Sequence, residues 1–320
     1  MKKKVFVTGA AGFIGSNLVD RLLADGHDVV GIDNFATGSE FFITNARKHD
    51  NFKLIRVDAT DLESLKKSMD GGGDAVFHLC AFADVRVDPN NPSRELQQNT
   101  IVTFNVLEAM RANGISKIAF ASTGSIYGES KVIPTPEDAP FPIQTSLYGA
   151  SKLAGEGMIG GYCENYDFQG WIFRFVSILG ERYTHGHVFD FYKRLRQDPG
   201  HLKVLGNGHQ KKSYLYVQDC INAIFCAMEK SNDSVNIFNL GTDEYCEVRD
   251  SIGWITGHLG LSPQLEFGTE DRGWRGDNPF IFLDTTKIRS LGWRAELTIE
   301  QSVIKTIEYL QQNDALLSRT

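Results

Sequence analysis

A short apolar segment runs directly into a turn with three evenly spaced glycines near the start of the chain. The segment Lys4 to Thr8 reads KVFVT, an apolar run typical of a buried parallel strand. Gly9, Gly12 and Gly15 follow, and the stretch from Ser16 to Leu23 places its leucines and its valine on one helical stripe. A strand, a glycine turn and a helix in this order are what a dinucleotide-binding loop requires.

The end of the next predicted strand carries a second element of the same site. The glycines let a pyrophosphate approach the backbone, and the helix N-terminus offers N–H groups and the positive end of its dipole. The apolar run from Val29 to Ile32 then ends at Asp33. A carboxylate at this place accepts hydrogen bonds from the adenosine ribose and repels a 2′-phosphate. We therefore expect the cofactor to be NAD in preference to NADP.

Strand and helix patterns alternate along the chain, which predicts an α/β fold with a Rossmann-type, doubly wound parallel sheet. Predicted strands end near Val7, Ile32, Val57, Leu79, Ala121, Phe175 and Leu240. Crossover helices are expected near residues 16–25, 61–69, 93–112, 147–165 and 248–258.

A length of 320 residues favours two domains. We expect the dinucleotide-binding domain to span residues 1–177 and to be completed by residues of about 233–258. Residues 178–232 and 259–320 are expected to form a smaller, discontinuous α/β substrate domain, with the substrate held in a cleft between the two.

Tyr148 and Lys152 form a pair with a clear chemical meaning. They lie four residues apart in the string YGASK, so both side chains leave the same face of a helix. An ammonium near a phenol favours the phenolate, and it therefore lowers a pKa that starts near 10. A tyrosine tuned in this way exchanges a proton with a sugar or alcohol hydroxyl at neutral pH.

A loop rich in hydroxyl groups precedes this pair. The apolar run from Ile118 to Phe120 leads into Ala121-Ser122-Thr123, and Gly124-Ser125 follows. Hydroxyl groups at the carboxyl end of a parallel strand point into the crevice where ligands bind. Thr123 is therefore a third candidate catalytic residue.

Composition agrees with an ordinary globular enzyme. The net charge of −7 argues against nucleic acid as a partner. The five cysteines are odd in number and lack metal-binding spacing, so we expect reduced thiols, no metal and a cytoplasmic protein. We find no export signal and no segment long enough to cross a membrane.

Together these motifs make the chain resemble the extended short-chain dehydrogenase/reductase family, in particular its nucleotide-sugar epimerase and dehydratase group. The spacing Gly9-x-x-Gly12-x-x-Gly15 matches that family. Further matches lie in Val57–Asp61, His78–Ala81, Asn99, Arg174–Ser177, Lys212–Asp219 and Leu291–Trp293. The resemblance covers nearly the whole chain.

The resemblance also implies which residues bind the cofactor and the substrate. The expected NAD-binding residues are Gly9, Gly12, Phe13, Ile14, Gly15, Asp33, Asn34, Asp58, Ala59, Leu79, Ala81, Asn99, Ser122, Tyr148, Lys152 and Phe175. The expected nucleotide-sugar-binding residues are Thr123, Ser177, Lys212, Arg272, Arg275 and Asp277.

The residues after Thr123 indicate which reaction of the group to expect. Its 4,6-dehydratases carry Asp-Glu directly after the hydroxyl residue, and its decarboxylases carry a glutamate at the second position. Here these positions hold Gly124 and Ser125. The resemblance therefore implies 4-epimerisation through a transient 4-keto sugar. The alternatives are a related oxidoreductase, an epimerase acting at C3 or C5, and a non-catalytic NAD-binding regulator.

Several positions depart from the group's pattern and leave the base and the sugar open. Ser177 stands where the epimerases carry asparagine, Lys212 replaces a diphosphate-binding arginine, and Trp274 replaces a second arginine. Arg272 or Arg275 would then substitute. His185 and His187 are either groups acting on the sugar or part of a solvated loop, and a metal site there lacks a third ligand.

The helices expected near 93–112 and 147–165 also indicate an assembly. The first offers several apolar side chains, and the second combines Met158 and Tyr162 with four glycines that permit close approach of another backbone. The group pairs these helices across a two-fold axis. We therefore expect a homodimer with Tyr162 and Met158 near its axis.

Overall fold

The computed structural model describes residues 1–83, 91, 93–140, 143–274 and 277–318. Strands and helices alternate through the first half of the chain. Its strands are β1 Lys4–Thr8, β2 Asp28–Asp33, β3 Phe52–Arg56, β4 Ala75–His78, β5 Lys117–Thr123 and β6 Gln169–Phe175. Its α-helices are α1 Phe13–Ala24, α2 Leu62–Ser68, α3 Val102–Ala112 and α4 Leu147–Tyr166.

The second half has shorter strands and more helix. Its strands are β7 Ser177–Leu179, β8 His201–Val204, β9 Lys211–Lys212, β10 Tyr214–Tyr216, β11 Val235–Leu240, β12 Cys246–Glu247, β13 Gln264–Phe267 and β14 Phe280–Ile281. Its α-helices are α5 His187–Gln197, α6 Val217–Lys230, α7 Val248–Leu259, α8 Thr286–Ser290 and α9 Ile299–Gln312.

Seven strands form one sheet in the order β11-β6-β5-β4-β1-β2-β3. Strand β1 pairs in parallel with both β2 and β4, and β2–β3 and β4–β5 are parallel as well. The structure thus confirms the predicted Rossmann-type, doubly wound sheet. The strand order reverses between β1 and β4, and such a reversal is where ligands bind, beyond the carboxyl ends of the strands.

Helices cover both faces of this sheet. Helices α2, α3 and α4 pack on one face, where Leu65, Val106 and Ile159 join Phe6 and Phe120 in a single buried cluster. Helix α1 packs on the opposite face through its buried leucines and valine. Burial on both faces explains why the strands read as nearly continuous apolar runs.

The chain divides into two compact units. The first comprises residues 1–126, 146–174 and 224–238, and the second comprises 127–145, 175–223 and 239–320. In the second unit, β7 pairs with β10, β8 with β13, and β9 with both β12 and β14. The assignment of NAD binding and sugar binding to separate parts of the chain stays a prediction.

Several features of the helices were not predicted. The expected helix near 93–112 is a π-helix at Leu96–Ile101 followed by α3. Helices α5, α6, α8 and α9 fill stretches for which the sequence analysis named no helix. A π-turn holds one extra residue, and hydrophobic periodicity does not reveal it over a single turn.

Candidate active site

The three glycines of the first turn meet different steric demands. Gly9 has φ of 73°, and a Cβ there would lie 2.7 Å from the backbone nitrogen of Cys80. A Cβ on Gly15 would lie 2.0 Å from the carbonyl oxygen of Gly9. On Gly12 the nearest atom within the protein would be 3.2 Å away. Packing therefore requires Gly9 and Gly15, whereas Gly12 chiefly leaves room for a group outside the turn.

The N-terminus of α1 fits a bound anion. The helix begins at Phe13 with Gly12 as its N-cap, no side chain caps it, and its first turn contains no acidic residue. The positive end of its dipole therefore meets no negative charge from the helix's own first turn. Together with the room at Gly12, this is what the pyrophosphate of NAD requires, and Gly12, Phe13 and Ile14 would hold it.

Asp33 lies at the end of β2 and is held firmly. Its carboxylate accepts hydrogen bonds from the backbone N–H of Ala11 at 2.8 Å and of Phe35 at 2.7 Å. Burial raises the pKa of Asp33, and these two hydrogen bonds act against that rise. The carboxylate is thus positioned by two backbone donors in the place where the sequence predicts a ribose contact.

Asp58 and Ala59, two of the residues predicted to bind NAD, lie beyond β3. Asn34 donates to the carboxylate of Asp58 at 3.0 Å, and Asp58 also accepts from the Thr60 hydroxyl at 2.6 Å. The carbonyl oxygen of Ala59 accepts from Asn105 of α3 at 2.9 Å. The structure therefore brings three of the predicted cofactor-binding residues together at one corner of the sheet edge.

Tyr148 and Lys152 lie in the first two turns of α4. Ser146 caps this helix by accepting from the backbone N–H of Gly149 at 3.0 Å. Lys152 is only 2% exposed, and its ammonium lies 4.5 Å from the centre of the Phe120 ring. An aromatic face stabilises this buried charge by a cation–π interaction.

The pKa of the tyrosine differs from the sequence-based expectation. Burial raises the pKa of Tyr148 to about 12, and a hydrogen bond with Thr123 acts in the opposite direction. Burial also lowers the pKa of Lys152, to about 8. The expectation of a lowered tyrosine pKa is therefore wrong for the protein alone, because desolvation of the phenol dominates.

Thr123, the last residue of β5, is the partner of Tyr148. Its hydroxyl donates to the Ser125 hydroxyl at 3.2 Å and accepts from the Ser125 backbone N–H at 3.1 Å. The preceding Ser122 is buried, and its hydroxyl donates to the carboxylate of Glu156. The structure thus brings the three predicted catalytic residues together, and it directs the Ser122 hydroxyl into the protein.

Asn99 ties two segments of the site together from within the π-helix. Its amide oxygen accepts from the backbone N–H of Phe82 at 2.8 Å, and its amide nitrogen donates to the Phe82 carbonyl at 3.1 Å. The same nitrogen donates to the Ser151 hydroxyl at 2.9 Å. Asn99 therefore anchors helix α4 to the segment that follows β4, where Leu79 and Ala81 are partly buried.

Two buried groups near the site were not singled out from the sequence. His78, at the end of β4, lies 2.8 Å from the Thr8 hydroxyl and 3.1 Å from the Thr103 hydroxyl, and burial lowers its pKa to about 3. Glu156 pairs with Arg174 of β6 at 2.7 Å. The spacing of Glu156, four residues beyond Lys152 on the same helix face, was the available signal.

In the second unit, three of the predicted substrate-binding residues form one cluster. Lys212 pairs with the carboxylate of Asp277 at 2.9 Å, and Arg272 donates to the backbone carbonyl of Asp277 at 3.1 Å. Arg272 also pairs with Glu129 at 2.8 Å. Arg275 lies outside the described residues.

The other residues of this unit that the sequence analysis named differ in how exposed they are. Phe175 is buried and Ser177 is exposed. His187 is no part of a solvated loop, because its Nδ1 lies 2.8 Å from the Tyr214 hydroxyl and its Nε2 lies 2.8 Å from the Ser251 hydroxyl. Its two ring nitrogens therefore serve the fold, whereas His185 is exposed and stacks on Tyr183.

Three further findings concern the described part of the chain. All five cysteines are free thiols. Among the described residues, no group of three His, Cys, Asp or Glu side chains could hold a metal ion. None of the described helices is long and apolar enough to span a membrane.

Known proteins resemble this chain over almost its full length. The UDP-glucose 4-epimerase of Mycolicibacterium smegmatis is 31% identical over 313 residues, which cover 96% of this chain and 98% of that protein. A solved UDP-galactose 4-epimerase is 35% identical with a TM-score of 0.86, covering 97% of this chain and 99% of that one.

A third relative was solved with its ligands. The UDP-glucuronic acid 4-epimerase of Bacillus cereus, in complex with UDP-glucuronic acid and NAD, is 28% identical with a TM-score of 0.88, covering 97% of this chain and 99% of that one. Residues 5–241 match the sequence model of the NAD dependent epimerase/dehydratase family. The chain therefore belongs to the NAD dependent epimerase/dehydratase family, which confirms both the resemblance and NAD as the cofactor.

Proposed function

We propose that this protein is an NAD-dependent UDP-sugar 4-epimerase. The observation that carries the proposal is the group formed by Thr123, Tyr148 and Lys152 at the carboxyl end of β5, with no acidic side chain at positions 124 and 125. This is the smallest set that can move a proton on and off a sugar hydroxyl. The relatives named as 4-epimerases support the same reaction.

Each of the three residues has a separate task in the proposed reaction. Bound NAD supplies a reversible hydride acceptor and the positive charge of its nicotinamide ring. Tyr148 takes the proton from the sugar 4-hydroxyl and later returns it. Thr123 hydrogen-bonds the same oxygen and Tyr148, and the Lys152 ammonium favours the phenolate. Because the protein alone leaves Tyr148 protonated at neutral pH, positive charge beside it is required for the first step.

The position after Thr123 argues against elimination of water and against decarboxylation. Gly124 has no side chain, and the Ser125 hydroxyl accepts a hydrogen bond from Thr123 at 3.2 Å. Neither residue can serve as an additional acid. For a keto sugar formed at C4, we therefore propose return of the hydride to its other face.

The nucleotide is proposed from the second unit and from the relatives. Lys212 and Arg272 supply two positive charges beside Asp277, which suits a diphosphate and a ribose hydroxyl. The ammonium of Lys212 is a compact point charge, so its contact with a diphosphate lacks the two parallel hydrogen bonds that an arginine guanidinium can donate. The UDP-glucuronic acid complex of the Bacillus cereus relative supports UDP as the nucleotide.

A related oxidoreductase, or an epimerase acting at C3 or C5, is the second candidate. Cys80 is the observation that favours it, since its thiol lies beside Lys152 and 3.6 Å from His78. Burial raises the pKa of this thiol to about 11, so it is a weak acid there. An intact catalytic trio argues against a non-catalytic regulator. The five free thiols suit a cytoplasmic location, which we include in the proposal.

The reaction is tested by incubating the purified protein with UDP-glucose, UDP-galactose, UDP-glucuronic acid and UDP-N-acetylglucosamine without added NAD. We expect at least one sugar to equilibrate with its C4 epimer by NMR, with no net NADH absorbance. Tyr148→Phe should lose about 10²–10⁴ in turnover and still bind NAD, because general acid–base catalysis has this magnitude. Thr123→Ser should retain most of the activity and Thr123→Ala less. Stoichiometric accumulation of NADH would favour the oxidoreductase.

The preference for NAD over NADP is expected to depend on Asp33. Asp33→Asn keeps the size of the side chain and removes the charge that repels a 2′-phosphate. The ratio of dissociation constants for NADP and NAD should therefore fall, as measured by calorimetry on cofactor-free protein. Asp25→Asn, on the exposed end of α1, serves as the matched control. Equal binding of both cofactors by the unmutated protein would contradict the role of Asp33.

The buried ammonium of Lys152 should make stability depend on pH in the cofactor-free protein. The folded state releases this proton near pH 8, whereas an ordinary lysine holds it to 10.5. At this group the unfolded state binds more protons between these values, which adds on the order of 2–3 kcal/mol to the unfolding free energy. Burial raises the pKa values of Cys80 and Cys220, and these thiols act in the opposite direction above pH 9, so the test is a difference between variants. In urea titrations the unfolding free energy of the unmutated protein, less that of Lys152→Met, should rise over this range, whereas its difference from Lys131→Met, an exposed control, should stay constant. A constant difference from Lys152→Met would contradict the prediction.

We also propose that the protein is a homodimer formed by α3 and α4. Ile101 and Phe104 are 43% and 40% exposed, and a Cβ on Gly157, Gly160 or Gly161 would meet no described atom within 4 Å. Tyr162 and Met158, predicted near the axis, are partly buried against the core of their own unit.

Light scattering at micromolar concentration should give twice the chain mass of 35.7 kDa. Phe104→Glu should shift the mass toward the monomer because it places a charge on the proposed interface. Leu265→Glu, which alters another exposed apolar side chain, should not. A mass of one chain for the unmutated protein would disprove the dimer.

A further inference from the structure

Glu156 and Arg174 form a buried ion pair in the first unit. Glu156 is 6% exposed and Arg174 is 2% exposed. Arg174 donates through Nη2 to one carboxylate oxygen at 2.7 Å and through Nε to the other at 3.1 Å. The Ser122 hydroxyl donates to the same carboxylate. We call these three residues the Glu156 clamp.

The clamp is not explained by stability. Removing two charges from water costs several kcal/mol per ion, and well-packed apolar side chains of similar size are often equally stable in their place. What an ion pair with directional hydrogen bonds adds is a fixed geometry. The bidentate contact of Arg174 with Glu156 leaves little freedom for the helix to slide or turn.

The clamp connects the elements that carry the catalytic groups. Glu156 lies on α4 one turn beyond Lys152 and two turns beyond Tyr148. Ser122 is adjacent to Thr123 on β5, and Arg174 lies on β6 beside it in the sheet. We propose that Glu156 is a positioning residue, which fixes helix α4 on β5 and β6 so that Tyr148 and Lys152 meet Thr123.

The charge of Glu156 also acts on the site. Burial lowers the pKa of Lys152, and the nearby Cys80 and Glu156 act in the opposite direction. His78, on β4, faces the same ammonium and is neutral at physiological pH. Among these neighbours Glu156 is the acidic group that pairs with an arginine, and its carboxylate favours the charged form of Lys152.

The test has two measurements: the kcat measurement rests on the proposed function, and the titration of Tyr148 does not. Glu156→Gln keeps the shape and removes the charge. We expect kcat to fall by about tenfold to a hundredfold, as for a small misplacement of catalytic groups, with KM and the NAD dissociation constant within about threefold. In the NAD-loaded protein, displacement of Tyr148 from Lys152 should move the phenolate titration of Tyr148, taken as the difference in absorbance from Tyr148→Phe, to higher pH. Loss of the negative charge alone would move it to lower pH.

A matched control separates positioning from loss of any ion pair. Glu108 accepts from Arg111 at 2.9 Å and from the Tyr162 hydroxyl at 2.6 Å, so it has the same kinds of partner as Glu156. It lies on α3 and touches none of the proposed catalytic residues. Glu108→Gln should leave kcat and the Tyr148 titration within about twofold of the unmutated protein, a change small on the scale of general acid–base effects.

A second variant covers the case in which Glu156→Gln does not fold. Glu156→Leu combined with Arg174→Met removes both charges and should fold, yet it should show the same loss in kcat and the same shift of the Tyr148 titration. Unchanged kcat and titration in either clamp variant would overturn the proposal. If the unmutated protein turns over no UDP-sugar, the proposed function fails, and the Tyr148 titration still decides the role of Glu156.

Discussion

The parallel pairing of strands is the constraint on which the rest of this structure depends. Parallel strands place all their carboxyl ends along one edge, and that edge receives Gly9, Asp33 and Thr123 from β1, β2 and β5. No single segment of the chain could bring these groups together. Helix α4 then lies against the same sheet and adds Tyr148 and Lys152 to its edge. The candidate site therefore depends first on the topology of the sheet and only then on any single motif.

Much of this arrangement can be predicted from the sequence because the signals are local. Gly15 is required by a contact with the nearby Gly9, and the apolar strands are short, continuous runs, whereas the contact that requires Gly9 is with Cys80, far away in sequence. The spacing of Tyr148 and Lys152 needs only one helix. The pKa of Tyr148 could not be predicted in this way, because it depends on burial by groups distant in sequence. The same holds for the hydrogen bonds that hold His187 and for the pairing of Lys212 with Asp277.

The proposed role of Lys152 and the stability of the fold make opposite demands on this side chain. Its ammonium is buried against Phe120, where charge is costly and solvent cannot screen it. In the proposed reaction, the field of a charge that water does not screen would act more strongly on Tyr148 than the field of the same charge at the surface. Burial of the apolar side chains around α3 and α4 offsets the free-energy cost of burying this charge.

The π-helix at Leu96–Ile101 has a consequence for how this protein tolerates changes in length. A π-turn accommodates one residue more than an α-turn, so the side chains on its two sides are offset by roughly 100° relative to a continuous α-helix. Asn99 reaches Phe82 and Ser151 from within this turn, while Val102 and Val106 beyond it stay in the core. Loss of a single residue here would restore a regular helix and rotate Asn99 away from both partners. The length of this segment therefore matters to the structure as much as the identity of its residues.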